Sequence, residues 1–378
     1  MSELVLVTGG AGFIGSHLVP KIIASGRRVR ILDNLSPQIH GAVPAGLDWL
    51  EQEGVEFVRG TVTSRADLEA TLAGVDAIVH LAAETGTGQS MYEVARYNEI
   101  NTQATALLFD VLGKLPQRQT RRVVLSSSRS VYGEGAYVCP ACDGARVFPG
   151  ARSAAVLQQA RWEPVCPACD GALQCVPTRE TDAVLPASIY AATKYAQEDL
   201  VRIGCDSLGI GYAIFRLQNV YGERQSLKNP YTGILSIFST RIRRDTVLPL
   251  FEDGEESRDF VHVDDVTDAL MAGLVAEQAP NAVINVGSGI ATSVRTVAEE
   301  LTRAFGKAPD VTVTGQFRVG DIRHNYADIS RLRALGVAPK IGLAEGLRRF
   351  AAWVLTQPLP EDGLERANQE LRARKLMS

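Results

Sequence analysis

The stretch that decides the fold lies near the N-terminus and reads Leu4-Val5-Leu6-Val7-Thr8-Gly9-Gly10-Ala11-Gly12-Phe13-Ile14-Gly15. Its apolar run leads into closely spaced glycines, and a segment with helical character follows from Ser16 to Ala24. A second apolar run, Val29 to Leu32, ends at Asp33. This order of strand, glycine turn, helix, strand and acid is typical of a dinucleotide-binding βαβ unit.

Each part of this unit has a physical role. Glycines allow a tight turn and let the backbone approach a pyrophosphate, and the N-terminus of the next helix offers free N–H groups and a positive dipole end to that anion. Asp33 can accept hydrogen bonds from ribose hydroxyls and would repel a 2′-phosphate. The sequence therefore favours NAD over NADP.

Composition limits the classes of function. The chain has 378 residues, of which 46% are hydrophobic and 22% charged, with a net charge of −4. These values suit a globular enzyme and give no basic field for nucleic acid or an acidic membrane. No apolar run approaches the roughly 20 residues of a bilayer span, and the first residues lead directly into a strand instead of a signal peptide. We expect a cytoplasmic protein that has neither nucleic acid nor a membrane as a partner.

Apolar runs alternate with helical patterns through the first half of the chain. The runs Val55 to Val58, Ala77 to Leu81 and Arg122 to Ser126 are strand-like, and a long helical stretch covers roughly Met91 to Leu112. The alternation predicts an α/β fold with a doubly wound parallel (Rossmann) sheet and a smaller α/β substrate lobe.

We divide the chain into three parts. Residues 1–218 form the NAD-binding domain, interrupted at 134–178 by a cysteine-containing insertion. Residues 219–357 are mainly the substrate-binding lobe, with 258–289 returning to the Rossmann domain. The tail, 358–378, is charged and helix-prone, without a strong apolar face.

Tyr190 and Lys194 form a Tyr-x-x-x-Lys pair, which lies on one face of a helix. The lysine ammonium and a positive nicotinamide ring lower the tyrosine pKa, so the phenolate can act as a general base near neutral pH. Ser128, at a strand end, can share the substrate's proton. A lone match of this kind is more often an aromatic core residue beside a solvated lysine. The glycine turn, Asp33 and the serine run, in the right order, favour catalysis.

With these motifs the chain resembles the extended short-chain dehydrogenases/reductases of the NAD-dependent sugar-nucleotide epimerase/dehydratase group. The resemblance rests on residues 8–15, 33–35, 80–83, 126–128 with 131–133, 190–194, 216–222 and 258–265. It implies that Tyr190 takes the proton of the sugar 4-hydroxyl while NAD takes the C4 hydride. The 4-keto sugar then rotates and receives the hydride on its other face.

The resemblance also implies two sets of binding residues, in addition to the catalytic Tyr190, Lys194 and Ser128. The cofactor set is Gly9, Gly12, Phe13, Ile14, Asp33, Asn34, Thr61, Val62, Leu81, Ala82, Ala83, Asn101, Ser126, Tyr190 and Lys194. The substrate set, for a nucleotide-diphosphate sugar, is Thr85, Ser128, Asn219, Arg258, Arg318 and Asp321. Arginine suits a diphosphate because its planar fork binds two oxygens at once, although either arginine could instead form a surface salt bridge. Residues 229–232 are expected to read the base and the sugar.

Two departures from the family pattern matter. Dehydratases of this group carry an Asp-Glu pair directly after the catalytic hydroxyl residue, where this chain has Arg129 and Ser130. The missing acid and base argue against a dehydratase and for an epimerase. The second departure is Thr61, which follows Gly60 where an aspartate is usual near the adenine, so that adenine loses one side-chain acceptor.

The insertion contains two near-identical knuckles, Cys139-Pro140-Ala141-Cys142 and Cys166-Pro167-Ala168-Cys169. Four thiolates from two short turns form the closed tetrahedral set that structural zinc prefers, and the alternative is metal-free or disulfide-linked cysteines. Because the insertion lies between Ser128 and Tyr190, we expect it at the mouth of the active site or against a neighbouring subunit. Cys175 and Cys205 are expected to be buried apolar residues.

The insertion and residues 83–93 are similar to a bacterial subgroup of dTDP-L-rhamnose 4-epimerases, which make dTDP-6-deoxy-L-talose. Alternatives are a 4-epimerase of a UDP- or GDP-sugar, a nucleotide-4-keto-sugar reductase, or an NAD-sensing regulator. The resemblance further implies a homodimer formed through two helices per subunit, about 98–113 and 188–207.

Overall fold

Strands and helices alternate along most of the chain in the computed structural model, which describes residues 2–44, 46–227, 233–318, 320–362, 364–374 and 376–377. The strands are β1 Leu4–Thr8, β2 Arg28–Asp33, β3 Val55–Arg59, β4 Ala77–His80, β5 Arg122–Ser128, β6 Tyr137–Cys139, β7 Ala145–Val147, β8 Gln174–Cys175, β9 Gly211–Leu217, β10 Asn219–Tyr221, β11 Leu248–Leu250, β12 Ser257–Arg258, β13 Phe260–His262, β14 Ala282–Val286, β15 Thr292–Ser293, β16 Val311–Val313 and β17 His324–Asn325. The helices are α1 Phe13–Ala24, α2 Pro37–His40, α3 Arg65–Leu72, α4 Thr87–Ser90, α5 Val94–Tyr97, α6 Ala104–Lys114, α7 Ala154–Leu157, α8 Ile189–Leu208, α9 Ile234–Arg243, α10 Val263–Val275, α11 Val294–Ala304, α12 Ser330–Ala334, α13 Leu343–Thr356 and α14 Leu364–Ala373. None of the helices within these ranges has the length and apolar character needed to cross a membrane.

Seven parallel strands form the central sheet in the order β14-β9-β5-β4-β1-β2-β3. Thr8 at the end of β1 pairs with Leu32 on one side and His80 on the other. The carboxyl ends of the inner strands therefore meet at one edge, where doubly wound sheets bind ligands. The predicted α/β class with a doubly wound parallel sheet is confirmed.

The two faces of the sheet are packed by different apolar clusters. In β1, Val5 and Val7 face the cluster that includes Leu18 and Ile22 of α1. Leu4 and Leu6 face the opposite cluster, which includes Leu108 of α6 and Val201 of α8. Alternate residues of one fully buried strand thus serve both faces, which explains why β1 is an unbroken apolar run.

Two segments after residue 257 return to this sheet. The α10 helix packs against α1, and β14 forms the edge of the sheet beside β9. The elements before and after these two segments build a separate lobe around a third apolar cluster, which includes Phe238 of α9, Leu301 of α11 and Phe350 of α13.

The insertion has regular structure of its own although its sequence shows no period. Strands β7, β6 and β8 form a small antiparallel sheet, and α7 follows β7. Each of the three strands is at most three residues long, which is too short to produce a periodic pattern in the sequence.

Buried charges fasten the insertion to the lobe. The Arg152 guanidinium lies 3.3 Å from Oε1 of Glu134 and 2.9 Å from Oε1 of Glu252. Arg323, whose side chain is 2% exposed, donates to Glu163 at 2.7 Å, and its Nη1 donates to Asp253, also at 2.7 Å. Paired charges therefore join these parts, in addition to the ring contact between Trp162 and Phe317.

The C-terminal tail lies across both halves of the molecule. Leu364 and Asn368 of α14 are buried, and Asn368 accepts a hydrogen bond from Arg318 in the lobe. The Tyr92 hydroxyl donates to Glu370 from the other half. Polar contacts such as these help to bind α14 to the rest of the protein, which agrees with a sequence that lacks a strong apolar face.

Candidate active site

A cleft of about 630 Å³ opens at the carboxyl edge of the sheet and extends into the lobe. Most of the residues singled out from the sequence line it. They are Gly9, Gly12, Phe13, Ile14, Asp33, Asn34, Thr61, Val62, Leu81, Ala82, Ala83, Thr85, Ser128, Tyr190, Asn219, Arg258, Arg318 and Asp321. Asn101, Ser126 and Lys194 lie behind this lining, and residues 229–232 fall outside the part of the chain that the structure describes.

The glycine turn brings backbone, without side chains, to the floor of the cleft. Gly9 has φ +69°, and a Cβ there would lie 2.7 Å from the Ala82 nitrogen. A Cβ on Gly15 would lie 2.2 Å from the Gly10 oxygen. The α1 helix begins directly after Gly12, so its free N–H groups face the space that these glycines leave open.

Asp33 is the last residue of β2 and accepts hydrogen bonds from two loops of the βαβ unit. Its Oδ2 accepts from the Ala11 amide at 3.0 Å, and its Oδ1 accepts from the Leu35 amide at 2.9 Å. The carboxylate is 8% exposed and lines the cleft. It therefore orders the glycine turn as well as presenting a negative charge to a ligand.

Asn101 and Ser126 support the cleft from behind. Asn101 accepts from the Glu84 amide at 2.8 Å and donates to Thr193 of α8 at 3.0 Å. Ser126 donates to the His80 carbonyl at 3.3 Å. These contacts fix the loop after β4 against the helix that carries Tyr190.

Ser128 and Tyr190 meet at the centre of the cleft. Ser128 ends β5, and its Oγ accepts from the Ser130 amide at 3.2 Å and lies 2.9 Å from the Ser130 hydroxyl. Burial raises the pKa of Tyr190, while the Ser128 hydroxyl and the Arg129 charge act in the opposite direction. The pair has the geometry to pass a proton to or from a bound hydroxyl group.

Lys194 is buried beneath Tyr190 and donates to Oε1 of Gln197 at 2.6 Å. Burial lowers its pKa to about 7, with the nearby Glu198 charge opposing. Burial, together with the Lys194 charge, lowers the pKa of His80 to about 3. His80 is therefore neutral, and its two nitrogens lie 2.7 Å from Thr8 and 3.0 Å from Thr105.

The lobe contributes two arginines that already have partners within the protein. Arg258 donates to the carbonyls of Ser257 and Arg323 through Nη1 and to that of Ile322 through Nη2, at 2.7–2.9 Å. Arg318 donates to Asn368 and lies over the Phe251 ring, 4.8 Å from its centroid, with its buried Nε unpartnered. Both side chains are thereby oriented along the cleft wall.

The lining also includes residues to which sequence reasoning gave no role in the site, among them Arg129, Glu256, Phe251 and Leu364. Burial raises the pKa of Glu256 to about 7. The position of Arg129 next to Ser128 was the one available signal, because the others come from remote segments without a motif.

The four knuckle cysteines converge away from the cleft, with all four sulfur atoms within 4.8 Å of one another. Cys169 Sγ lies 3.5 Å from the sulfurs of both Cys139 and Cys142. The residues after the two knuckles, Asp143 and Asp170, share a left-handed conformation, with φ of 52° and 56°. The knuckles are thus conformational repeats as well as sequence repeats. Cys205 is buried, whereas Cys175 is half-buried.

Comparison with known proteins identifies the family. The NAD dependent epimerase/dehydratase family matches residues 5–148 and 167–287, so that the unmatched gap falls inside the insertion. A dTDP-L-rhamnose 4-epimerase of Burkholderia thailandensis is 40% identical over 93% of this chain and 94% of its own.

Solved structures agree with this match. A UDP-glucose 4-epimerase of Thermotoga maritima with UDP-glucose has a TM-score of 0.74 at 28% identity, covering 93% of this chain and 98% of its own. A Thermus thermophilus UDP-glucose 4-epimerase complex with NAD has a TM-score of 0.72 at 26% identity, covering 94% and 100%. With its parallel sheet, glycine turn and serine–tyrosine centre, this chain belongs to the NAD dependent epimerase/dehydratase family.

Proposed function

We propose that the chain is an NAD-dependent nucleotide-sugar 4-epimerase, an isomerase that acts on a dTDP-6-deoxyhexose such as dTDP-L-rhamnose and yields dTDP-6-deoxy-L-talose. The observation that carries the proposal is the meeting of Ser128 and Tyr190 in a cleft that joins the glycine turn to the lobe. The sugar identity rests on the Burkholderia thailandensis relative.

The cofactor end of the cleft fits NAD. Gly9 and Gly15 leave no room for a Cβ because other backbone lies against them, so the glycine turn and the start of α1 stay close together, and Asp33 lines the same end of the cleft, where it would face the ribose. NAD, when bound, supplies a reversible acceptor for the C4 hydrogen of the sugar. Gly12, Phe13 and Ile14 would hold its diphosphate, and Thr61 and Val62 would border its adenine.

The chain's own residues carry the proton chemistry. Tyr190, as phenolate, accepts the proton of the sugar 4-hydroxyl, and Ser128 holds that oxygen in place through its hydroxyl. The same phenol returns the proton once the 4-keto sugar has presented its other face. Lys194 lies on the next turn of α8 and donates to Gln197, so it would stabilise the phenolate through its charge and not through a hydrogen bond.

Substitution of the dehydratase acid–base pair supports epimerisation. Arg129 is a cation in the cleft, and the Ser130 hydroxyl is engaged with Ser128, so neither supplies the carboxyl groups that loss of water across C5 and C6 requires. Arg258, Arg318, Asn219 and Asp321 would hold the nucleotide diphosphate in the lobe.

The direct test is a substrate screen followed by NMR. We expect purified protein to convert dTDP-L-rhamnose to its C4 epimer without added cofactor, and UDP- and GDP-sugars more slowly. A 4-keto-sugar reductase would instead need exchangeable reduced cofactor. Net oxidation of added NADPH or NADH in step with product would therefore assign the chain to that alternative.

We also propose that the four cysteines hold one structural zinc ion. Regular tetrahedral coordination at a Zn–S distance of about 2.3 Å separates the sulfurs by roughly 3.8 Å, close to the shorter contacts in the cluster. Four cysteine ligands leave no open position, so the role is structural.

Metal analysis tests this site. Protein purified without chelator should contain one zinc per chain, Cys142→Ser should lose it, and Cys175→Ala should keep it. Absence of zinc, with all four thiols free to alkylation, would refute the site. Retained thiols imply a reducing compartment, which is our reason for proposing that the protein is cytoplasmic.

We propose a homodimer formed by α6 and α8. The two helices lie side by side, and Ile203 of α8 is 56% exposed. Light scattering should give twice the chain mass, and Ile203→Lys should shift it toward the monomer. An unshifted mass in that variant would place the interface elsewhere.

A further inference from the structure

The C-terminal tail reaches the cleft although the family match ends at residue 287. Leu364, the first residue of α14, is buried and lines the cleft. The chain just before it is bound to the lobe, because Asp362 accepts from Arg241 of α9 at 2.6 Å. The start of α14 therefore has a defined place in the cleft wall.

One face of α14 is turned toward the protein. Leu364 and Asn368 are four residues apart, so they lie on the same face of the helix, and both are buried. Glu365 and Gln369, each one position further along, are exposed, and Gln369 donates to Glu365. The inward face thus carries an apolar group in the cleft wall and, one turn later, a buried amide.

The tail contacts Arg318 through both its side chain and its main chain. The Arg318 Nη2 donates to Asn368 Oδ1 at 3.1 Å, and the main chain of Arg318 forms an antiparallel bridge with Met377, which is buried. The guanidinium also lies over the Phe251 ring, 4.8 Å from its centroid. A free arginine side chain samples many rotamers, so these contacts select one direction along the cleft wall.

The guanidinium that the tail orients still has a donor to offer. In the described part of the chain, the buried Nε of Arg318 has no hydrogen-bond partner, and the side chain lines the cleft. Buried donors ordinarily find an acceptor, and an oxygen of a ligand in the cleft would supply one. Asn368 occupies Nη2 and leaves Nε available to that ligand.

We propose that α14 belongs to the substrate site, with Asn368 as the positioning residue that holds Arg318 for the nucleotide diphosphate. The inference rests on the proposed function for the ligand of Arg318. It adds that the affinity for this ligand depends on a helix of the tail, through a residue 50 positions further along the chain.

The test is calorimetric binding of a nucleoside diphosphate to wild-type protein, Asn368→Ala, Arg318→Met and the double variant. dTDP, UDP and GDP are compared first, and the one that wild-type protein binds most tightly is used. Asn368→Ala should weaken binding by about 3- to 10-fold, the effect of one net hydrogen bond. In the Arg318→Met background the same substitution should change the affinity by less than about twofold, because the amide acts through that arginine.

Two further measurements separate positioning from a general loss of structure. Gln369→Ala is the matched control, since it removes an exposed amide from the adjacent position of the same helix and should bind as wild type. The NAD content of every variant should equal that of wild-type protein. In turnover, Asn368→Ala should raise KM and leave kcat within about twofold, because Ser128 and Tyr190 are untouched.

Unchanged affinity in Asn368→Ala would overturn the inference. An equal fold-loss in the wild-type and Arg318→Met backgrounds would also overturn it, because the amide would then act through another group. Equal losses in Asn368→Ala and Gln369→Ala, or a parallel loss of NAD, would replace it with a general loosening of the fold.

The outcome for the proposed function is separate. A preference of wild-type protein for UDP or GDP, or its failure to epimerise any sugar, would count against the proposed function alone, since the variants are compared with whichever diphosphate binds and without turnover. Absence of binding to all three diphosphates would overturn both.

Discussion

The core of the cofactor half and the junction between the substrate lobe and the insertion are stabilised by different forces. The cofactor half stands on apolar strands such as β1, in which every residue is buried, and its ligand surface is backbone from the glycine turn. The substrate half is joined to the insertion through Arg152 and Arg323, two buried guanidinium groups whose partners are the buried carboxylates of Glu134 and Glu252 and the exposed carboxylate of Asp253. Apolar packing tolerates salt and pH, whereas a paired charge network depends on every partner being present and ionised.

The comparison teaches where change is tolerated. In the cofactor half, ligand binding needs small residues and a sharp turn at residues 9–15. Most substitutions elsewhere in the sheet would therefore change stability through packing and not ligand binding directly. In the substrate half a single neutralised partner leaves another charge buried without compensation. Substitutions at the centre that both halves share, and then in each half, test this contrast.

Tyr190→Phe should have the largest effect, a fall in turnover on the order of 10²- to 10⁴-fold, because the general base is removed. Cofactor content should be unchanged, since the glycine turn and Asp33 are untouched. The measurement is kcat by NMR together with NAD content after denaturation. Tyr195→Phe on the same helix is the matched control and should retain activity. Near-wild-type turnover in Tyr190→Phe would remove the tyrosine from its proposed role.

Arg323→Met should lower the free energy of unfolding by about 3–5 kcal/mol, because Glu252 and Asp253 lose a buried partner. The loss should appear first as proteolysis within the insertion and the lobe, with NAD still bound. Urea unfolding and limited proteolysis measure it. Arg303→Met removes an exposed arginine of α11 and should change stability by less than about 1 kcal/mol. Equal effects of the two variants would contradict the contrast between the halves.

Asp33→Ala should weaken NAD binding by about 10- to 100-fold and reduce discrimination against NADP. The structure adds a second reason, because the Ala11 and Leu35 amides lose their acceptor and the glycine turn loosens. Asp33→Asn separates the two effects, since it keeps an acceptor and removes the charge. Cofactor titration by fluorescence gives both affinities, and an unchanged NAD-to-NADP ratio in both variants would exclude Asp33 from the ribose site.

Glu256 should make the substrate half slightly less stable as pH rises. Burial raises its pKa from 4.5 to about 7, so the folded state binds a proton that the unfolded state has lost between these values. Its contribution to stability is fully present below about pH 4.5 and is lost as pH rises through about 7. Glu256→Gln should therefore flatten the pH dependence of the unfolding free energy in this window. An unchanged slope would assign the dependence to other groups.

Sequence predicted the cofactor half in more detail than the substrate half. The strands of the sheet, the glycine turn and the Tyr190–Lys194 spacing are local patterns, each contained within a few residues. The bonds of the substrate half are not local, since Arg152 meets Glu252 across 100 residues and the Arg323 amide meets Glu134 across 189. Leu364 reaches the cleft from a tail whose sequence lacks an apolar stripe.

The ion pairs that join the insertion to the lobe limit how this region can be exchanged between proteins. A chimera that transplants residues 134–178 into another epimerase would carry Glu134, Arg152 and Glu163 but leave Arg323 and Glu252 behind. The recipient would then hold Glu163 without Arg323, and an Arg152–Glu134 pair without Glu252. The insertion and the lobe residues that bind it therefore form one structural unit. A working graft would have to include the charged residues of both parts.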